Sequence, residues 1–338
     1  MTRPGRGTGR PHPAVARIRH AVRTSLTQLA APGSARPLVL AAVSGGADSL
    51  ALADALAFEA ATASVCAGAV IVDHGLQPGS AQVAERAAAT CRQRGLDLVE
   101  VERVEVSESG QGLEAAARAA RYNALTGAAQ RHGAAAVLLG HTRDDQAEQV
   151  LLGLTRGSGA RSLSGMPERR EIFVRPLLGI SREDTRAACG AEGVPFWDDP
   201  MNEDEAFLRV RARRALNDLE RDLGPGVAAA LARSADQLRA DANLLDDLAR
   251  EARAGLGSGP DYDAAALRAL PDAVRTRVWR SLLIGAGAPP GSTGSRHTDA
   301  CDLLLTDWRG QGPVHVPGEL RVKRSGGRVH ITAGGPVE

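Results

Sequence analysis

The stretch Leu38-Val39-Leu40-Ala41-Ala42-Val43-Ser44-Gly45-Gly46-Ala47-Asp48-Ser49 decides how the rest of the chain is read. Leu38 to Val43 form an apolar run of the length of a buried strand. Ser44 to Ser49 interrupt it, and an alanine-rich helical pattern follows at once. Strand, glycine loop and helix start in succession make an anion cradle, because unpaired N–H groups and the helix dipole point at whatever occupies the loop. The two glycines allow close backbone approach and the serines add hydroxyl donors. An ordinary strand-to-helix turn uses the same residue types. The loop also differs from the P-loop, which needs a Gly-Lys-Ser/Thr sequence. It has no lysine, and Asp48 would repel a phosphate unless a divalent cation lies between them.

At 338 residues the chain is long enough for two domains. With 43% hydrophobic and 24% charged residues it has the make-up of a soluble globular protein. Aromatics at 3% argue against an extensive base-stacking surface. The net charge of +1 means that any nucleic-acid face must come from local arginine clusters. Lys323 is the sole lysine, and so strong a choice of arginine beside many alanines and glycines reflects coding bias rather than phosphate recognition. Cys66, Cys91, Cys189 and Cys301 form no CxxC pair, which argues against a zinc ribbon, an iron–sulfur site or a disulfide framework and fits a reducing cytoplasm. No apolar run has membrane-spanning length, so no membrane partner is expected. Residues 1–36 carry arginine, proline and glycine and no acid, and read as a basic, flexible segment with a helix from Ala14 to Leu29.

After the first strand and its helix, Ser64 to Val72 reads as a second strand ending in Asp73-His74-Gly75-Leu76. A helix follows to Arg94, then an edge-like strand over Leu96 to Val106, a helix over Glu114 to Arg131 and a strand over Ala135 to Leu139. Gly140-His141 leads into a helix from Arg143 to Leu154, Ile172 to Leu178 reads as a strand, and Ser181 opens a further helix. This alternation predicts an α/β fold with a doubly wound, mainly parallel sheet over residues 37–222. In such sheets ligands bind beyond the C-terminal strand ends, where residues 44–49, 73–76 and 140–148 fall. Gly224-Pro225-Gly226 marks a boundary. Residues 226–338 read as a smaller helical domain, with helices over Val227 to Leu256, Ala264 to Ile284 and His297 to Trp308, ending in a short antiparallel ribbon.

Three further groups could carry chemistry. Glu114, Arg118 and Arg121 share one helix face, either as a solvated salt-bridge stripe or as the border of a cleft. His141-Thr142-Arg143-Asp144-Asp145-Gln146-Ala147-Glu148 puts carboxylates on a first helical turn, either as a plain acidic helix start or, with Asp48, as a Mg²⁺–phosphate site. Arg156 and the segment Phe207 to Arg214, with Arg209 and Arg213, could track a polyanion or belong to a solvated connector.

Taken together, these residues resemble the N-type ATP pyrophosphatases of the PP-loop superfamily, whose SGGxDS loop matches Ser44 to Ser49. Asp73 to Leu76, Glu114 to Arg118 with Arg121-Tyr122, His141 to Glu148, Arg156 to Gly159, Arg175 to Leu178 and Asp199-Pro200-Met201-Asn202 are similar to the tRNA(Ile)-lysidine synthetase family in particular. The likeness runs in order from Leu38 to Arg214; Val210 stands where the family commonly has asparagine, and the family's late proline is missing around Asp218. It implies an adenine-nucleotide α-hydrolase-like fold and a carbon–nitrogen ligase in the cytoplasm. Such an enzyme joins free L-lysine to C2 of the wobble cytidine of the CAU-anticodon isoleucine tRNA through an adenylylated intermediate. The resemblance implies ATP on Ser44, Gly45, Gly46, Ala47, Asp48, Ser49, Asp73 and His74, and Mg²⁺ on Asp48 and Asp145. It implies catalysis by Asp48, Arg121, Asp145 and Glu148, and substrate or tRNA contacts from Glu114, Arg118, His141, Arg156, Arg175, Arg209 and Arg213. Another PP-loop synthetase and a non-catalytic tRNA or nucleotide binder are the competing readings, and monomer and homodimer both remain open.

Overall fold

Leu38–Val43 (β1) is the central strand of a six-stranded sheet, paired in parallel with a strand on each side. The computed structural model describes residues 10–29, 36–75, 77, 79–106, 113–156, 159–257 and 259–334, with 113, 114, 202 and 203 described by backbone alone. Leu76, Gly157, Ser158, the side chains of Glu114 and Asn202, and the ends of the basic segment (1–9 and 30–35) therefore lie outside the described residues. The chain divides into two compact units, Met1–Gln237 and Leu238–Glu338.

In the first unit a helix α1 (Pro13–Thr27) precedes β1, and α2 (Ala47–Glu59) leads to β2 (Cys66–Asp73). Then come α3 (Ser80–Gln93), β3 (Leu98–Arg103), α4 (Leu113–His132), β4 (Ala136–Leu139), α5 (Arg143–Thr155) and the short α6 (Ala160–Leu163). The antiparallel β5 (Arg169–Arg170), β6 (Phe173–Val174), α7 (Arg182–Glu192), a 3-10 turn over Pro200–Glu203 and α8 (Leu208–Leu223) complete the unit. The sheet order is β3-β2-β1-β4-β6-β5. The winding runs outward from β1 to β3 and then restarts at β4 on the other side of β1, so the gap beyond β1 and β4 is the topological switch point. Leu38 to Val43 alternates its partners: Val39, Ala41 and Val43 join the larger core with α1, α2, α3 and α7, while Leu40 faces Leu125, Ala128 and Ala129 of α4. Both faces are covered, which is why the strand reads as an unbroken apolar run.

β3 lies at the sheet edge as its mixed composition predicts. The strand expected over Ile172 to Leu178 is confined to Phe173–Val174. Pro176 has no N–H for a ladder, and the chain turns away after Val174.

The second unit takes in most of α9 (Val227–Gly255), so the division falls inside that helix rather than at Gly224-Pro225-Gly226. It continues with β7 (Asp261–Asp263), α10 (Ala264–Arg268), α11 (Asp272–Gly285), α12 (Ser295–Thr306), β8 (Val314–Val316), β9 (Leu320–Ser325) and β10 (Arg328–Ala333). The single helix expected over Ala264 to Ile284 is broken ahead of Asp272, where Pro271 caps α11. The ribbon is a four-stranded sheet, β7-β10-β9-β8, because Asp261–Asp263 adds a strand too short to show a period. Trp279, Leu282, Leu304, Val322 and Val329 fill the core between its helices and sheet.

Candidate active site

The loop after β1 sits at the switch point and opens α2. Gly45 has φ +89° and a side chain there would come within 3.2 Å of Val83 Cγ1, so the position requires glycine. Gly140, at the end of β4, is required for space: a Cβ would lie 3.1 Å from the backbone of Asp48 and Ser49. The loop is braced from within, since the Ser44 N–H donates to Ser49 Oγ (3.1 Å) and that hydroxyl donates to the Gly46 carbonyl (2.9 Å). It is also braced from outside by the Trp197 N–H, which donates to the Gly45 carbonyl (2.9 Å). The first helical bond runs from the Leu50 N–H to the Gly46 carbonyl, so the N–H groups of Ala47, Asp48 and Ser49 precede the helical ladder. This is the backbone arrangement that the sequence reading expects of an anion cradle.

Asp48, on the first turn of α2, accepts a short hydrogen bond from the Thr185 hydroxyl of α7. Burial pushes its carboxyl up to about 6; the Thr185 hydroxyl opposes this, nearby Asp145 adds to it, and Arg182 works against it. Arg182 Nε lies 3.7 Å from Asp48 Oδ2. The same guanidinium donates to Asp145 Oδ1 (2.9 Å) and reaches Glu148 Oε1 (3.4 Å). Asp145 Oδ2 accepts from the Thr142 N–H (2.7 Å) and hydroxyl (2.9 Å), closing a capping box at the start of α5. Both Asp145 oxygens are thus engaged. Burial works to raise its carboxyl, but Arg182, Thr142 and His141 outweigh it and hold it below the ordinary value. Glu148, with 2% of its side chain exposed, accepts from Arg213 Nε (2.8 Å), and its Oε2 is buried without a partner. Among the described residues no group of three or more His, Cys, Asp and Glu forms a metal cage.

A positive wall comes from α4 and α8. Arg121 is solvent-accessible and has no carboxylate partner among the described residues. The protein packed around it, with the charges of Arg118 and Arg209, holds its pKa below the usual guanidinium value. Arg118 lies over the Tyr122 ring, 5.0 Å from its centroid, and Tyr122 packs edge-on against Phe173 at 4.8 Å. Arg175 is 5% exposed; it donates to the Pro167 carbonyl (3.0 Å) and to Tyr122 Oη (3.4 Å), so it props this wall from behind. Burial pushes the His141 imidazole down to about 4, against the pull of Asp145 and with the help of Arg175, Arg118 and Arg121. His74 is lowered as well, by burial and then by Arg121. Asp73 is buried and accepts from the Gly75 N–H (3.0 Å); burial would raise it, but Gly75, Ser80 and Arg103 hold it low. Arg156 is exposed at the end of α5, and among the described residues no ion pair ties it to the carboxylates.

Two family profiles match the chain: one described as "PP-loop domain" over residues 18–220, the other as "TilS substrate binding domain" over residues 263–330. The tRNA(Ile)-lysidine synthase of Streptomyces coelicolor is 51% identical, covering 96% of this chain and 99% of its own length. That of Salinispora arenicola is 52% identical over 94% and 96%. This chain belongs to the tRNA(Ile)-lysidine synthase family. Among solved structures, a U34-tRNA thiolase from Methanococcus maripaludis is similar with a TM-score of 0.54 at 17% identity, covering 70% of this chain and 88% of that one, a likeness of fold.

For a member of the lysidine synthase family, the sequence motifs are gathered at one place. The structure brings Ser44 to Ser49, Asp48, Asp145, Glu148 and Arg213 together, sets Arg121 near both His74 and His141, with Arg118 near His141, and puts Arg209 near Arg121. Motif reading passed over Arg182, Thr185 and Trp197. Arg182 and Thr185 lie in what reads as an ordinary capped helix start, and the capping pattern of Ser181 hides the outward role of the next residue. The Trp197 contact is made by backbone, which leaves no trace in residue type.

Proposed function

We propose that this chain performs the lysidine synthase reaction: ATP-dependent ligation of lysine to C2 of the wobble cytidine of the CAU-anticodon isoleucine tRNA. The observation that carries the reading is the meeting, at one switch point, of loop N–H groups ahead of the helical ladder, an accessible arginine without a carboxylate partner among the described residues, and the carboxylates of Asp145 and Glu148, the latter buried. The PP-loop domain binds ATP, and the loop at Ser44 is its phosphate cradle. Cytosine C2 is a poor electrophile because its oxygen is a poor leaving group. The cytidine O2 attacks the α-phosphorus of ATP, the bond to the β-phosphate breaks and pyrophosphate leaves. An amine of lysine then attacks C2 and AMP departs with the former cytidine oxygen. Lysidine pairs with A instead of G, so decoding changes from AUG to AUA.

In this reading the N–H groups at the start of α2 and Arg121 hold the negative charge that develops at the phosphates. The attacking amine must lose a proton, and Glu148 Oε2, buried and unpartnered, is the acceptor. Asp145, with both oxygens engaged and its carboxyl held low, orients the ammonium and is a poor base. For Mg²⁺ the donor set fits Asp48 acting with substrate phosphates, as Mg²⁺ commonly binds. The ion would neutralise pyrophosphate there. A Mg²⁺ on Asp145 would have to displace Arg182 from Oδ1, because Thr142 holds Oδ2.

A PP-loop thiolase would need reactive or cluster-binding thiols. Cys66, Cys91, Cys189 and Cys301 are free, and burial pushes the thiols of Cys91, Cys189 and Cys301 up to about 12, far from thiolate chemistry. Among the described residues no helix is long and apolar enough to cross a membrane, and with a tRNA substrate we place the enzyme in the cytoplasm. The deciding experiment is incorporation of radiolabelled lysine into the CAU-anticodon tRNA with ATP. Label in the tRNA with release of AMP and pyrophosphate is expected. AMP formation without label in the tRNA would overturn the reading.

A further inference from the structure

Among the described residues, Arg182 is the side chain that reaches Asp48, Asp145 and Glu148 together, at 3.7, 2.9 and 3.4 Å. Each of these carboxylates also has an anchor of its own. Asp48 is held by the Thr185 hydroxyl, Asp145 by the Thr142 N–H and hydroxyl, and Glu148 by Arg213 Nε. The backbone N–H of Arg182 donates to Asp144 Oδ2 (2.9 Å), a bond that no side-chain change would remove. The guanidinium is therefore not what fixes the three acids in place. What it adds is one positive charge at their junction.

A cavity of about 590 Å³ opens on the same junction, lined by Glu148, Arg182, Glu183, Arg186, Arg213 and Glu220 among others. Its volume is that of a small-molecule site. Its wall carries both carboxylates and guanidiniums, so it can meet charge of either sign on a ligand. Glu148, one of the lining residues, has Oε2 buried with no hydrogen-bond donor. A buried carboxylate oxygen without a donor is costly, and its presence here marks a place for one.

We propose that Arg182 is a built-in occupant of the ammonium position beside Glu148 and Asp145, which the incoming amine of the substrate displaces. The proposal rests on the lysine-ligation reading above and deepens it. Arg182 touches no reacting atom in this scheme; it is a positioning residue. While it is in place the two acids are neutralised. A ligand that takes them over must bring a full positive charge and hydrogen-bond donors for both oxygens, so neutral nucleophiles are not admitted. The displaced guanidinium keeps Asp48 as its partner, so the occupant moves toward the ATP loop when the amine arrives.

The test is the kinetics of lysine incorporation at saturating ATP and tRNA for Arg182→Met, Arg182→Gln and Arg182→Lys. With the competitor removed, the lysine KM of the Met and Gln variants falls at least threefold while kcat falls, because Asp48 loses its neighbouring charge. Arg182→Lys restores the charge and brings KM back toward the wild-type value. A structural role gives the opposite sign, since loosened carboxylates raise the lysine KM. An unchanged or raised KM in folded Met and Gln variants overturns the proposal. So does failure of both to fold, because the other anchors are then insufficient. Wild-type enzyme that transfers no lysine at all overturns instead the reading of the reaction, a different and separately visible result.

Discussion

The Thr185 hydroxyl on α7 donates a short hydrogen bond to the Asp48 carboxylate at the start of α2, across 137 residues of sequence. The bond favours the ionised form of an acid that burial pushes up to about 6. If ATP cleavage needs ionised Asp48, activity falls on the acid side near pH 6. Thr185→Val removes the donor and so raises the pKa further. The acid limb of kcat/KM for ATP, read as pyrophosphate release, then moves to higher pH. A limb that stays in place or moves to lower pH excludes Asp48 as the group it reports.

Asp48 also has a consequence for stability. Its folded-state pKa of about 6 lies above the ordinary 3.8, so the folded chain binds the proton more tightly than the unfolded one. Its contribution is favourable at low pH and is lost as pH rises from about 4 to about 6. Asp48→Asn keeps the acceptor for Thr185 and removes the charge. The variant should be catalytically dead yet melt higher than wild type at pH 7.5, with the gap closing toward pH 4. A gap of constant size across that range would mean that the charge of Asp48 is not the source.

The loop, the parallel sheet and the identity of most clustered residues were legible because they obey local rules. A buried strand on both faces reads as Leu38 to Val43, and glycine is demanded by φ at Gly45 and by space at Gly140. Arg182 was not legible, since its partners come from α2 and α5 and no spacing rule links residue 182 to 48, 145 and 148. The same holds for the two-residue β6, where Pro176 cuts short an apolar run of strand length. At Asp145 the spacing does not separate two roles: an acid at the third position after Thr142 serves equally as a capping residue or a ligand, and in the structure it caps α5 and meets Arg182.

Glu148 is nearly buried between two guanidiniums that are 25% and 30% exposed. Glu148→Gln removes the carboxylate that Arg213 Nε reaches and one of the three that Arg182 reaches. Loss of one member of a buried pair costs about 3–5 kcal/mol, and the partial exposure of the arginines reduces this to about 1–3 kcal/mol. The thermal midpoint should drop by several degrees and lysine transfer should fail. Because the residues are coupled, Glu148→Gln with Arg213→Gln should cost less than the sum of the single changes. Strict additivity of the two would show that the pair is not coupled.

Arg121 presents the opposite balance. It has like-charged neighbours in Arg118 and Arg209 and no carboxylate partner among the described residues, so its charge is an electrostatic burden on the free protein. Arg121→Ala should leave the melting temperature unchanged or slightly raised. Pyrophosphate release should fall by roughly 10²–10³, the usual effect of removing one charge-stabilising donor. Binding of tRNA should persist, since the residue is assigned to the charge at the phosphates of ATP. A variant that binds tRNA poorly but turns over bound tRNA normally would move Arg121 from chemistry to docking.

The second unit carries the match to the substrate-binding profile, and its sheet has one face directed away from the core. Leu320 and Val322 of β9 and Val329 and Ile331 of β10 are buried, so Lys323 and Arg328 lie on the opposite face with Arg321 and His330. His315 joins them from β8, opposite Arg321. Acids lie at the β7 edge, where Asp261 faces His330 and Asp263 faces Arg328 in the register. The net +1 charge of the whole chain gives a polyanion no general attraction, so a tRNA-body contact here must rest on this local excess. Both Lys323 and Arg328 are exposed, and replacing them leaves the core alone. In Lys323→Ala with Arg328→Ala, affinity for the isoleucine tRNA should fall, and the log–log salt slope of binding should shrink by about one unit per cation removed. The rate of lysine transfer at saturating tRNA should be retained, because the changes lie outside the PP-loop domain. Unchanged affinity together with an unchanged slope would rule out this face as a phosphate-backbone contact.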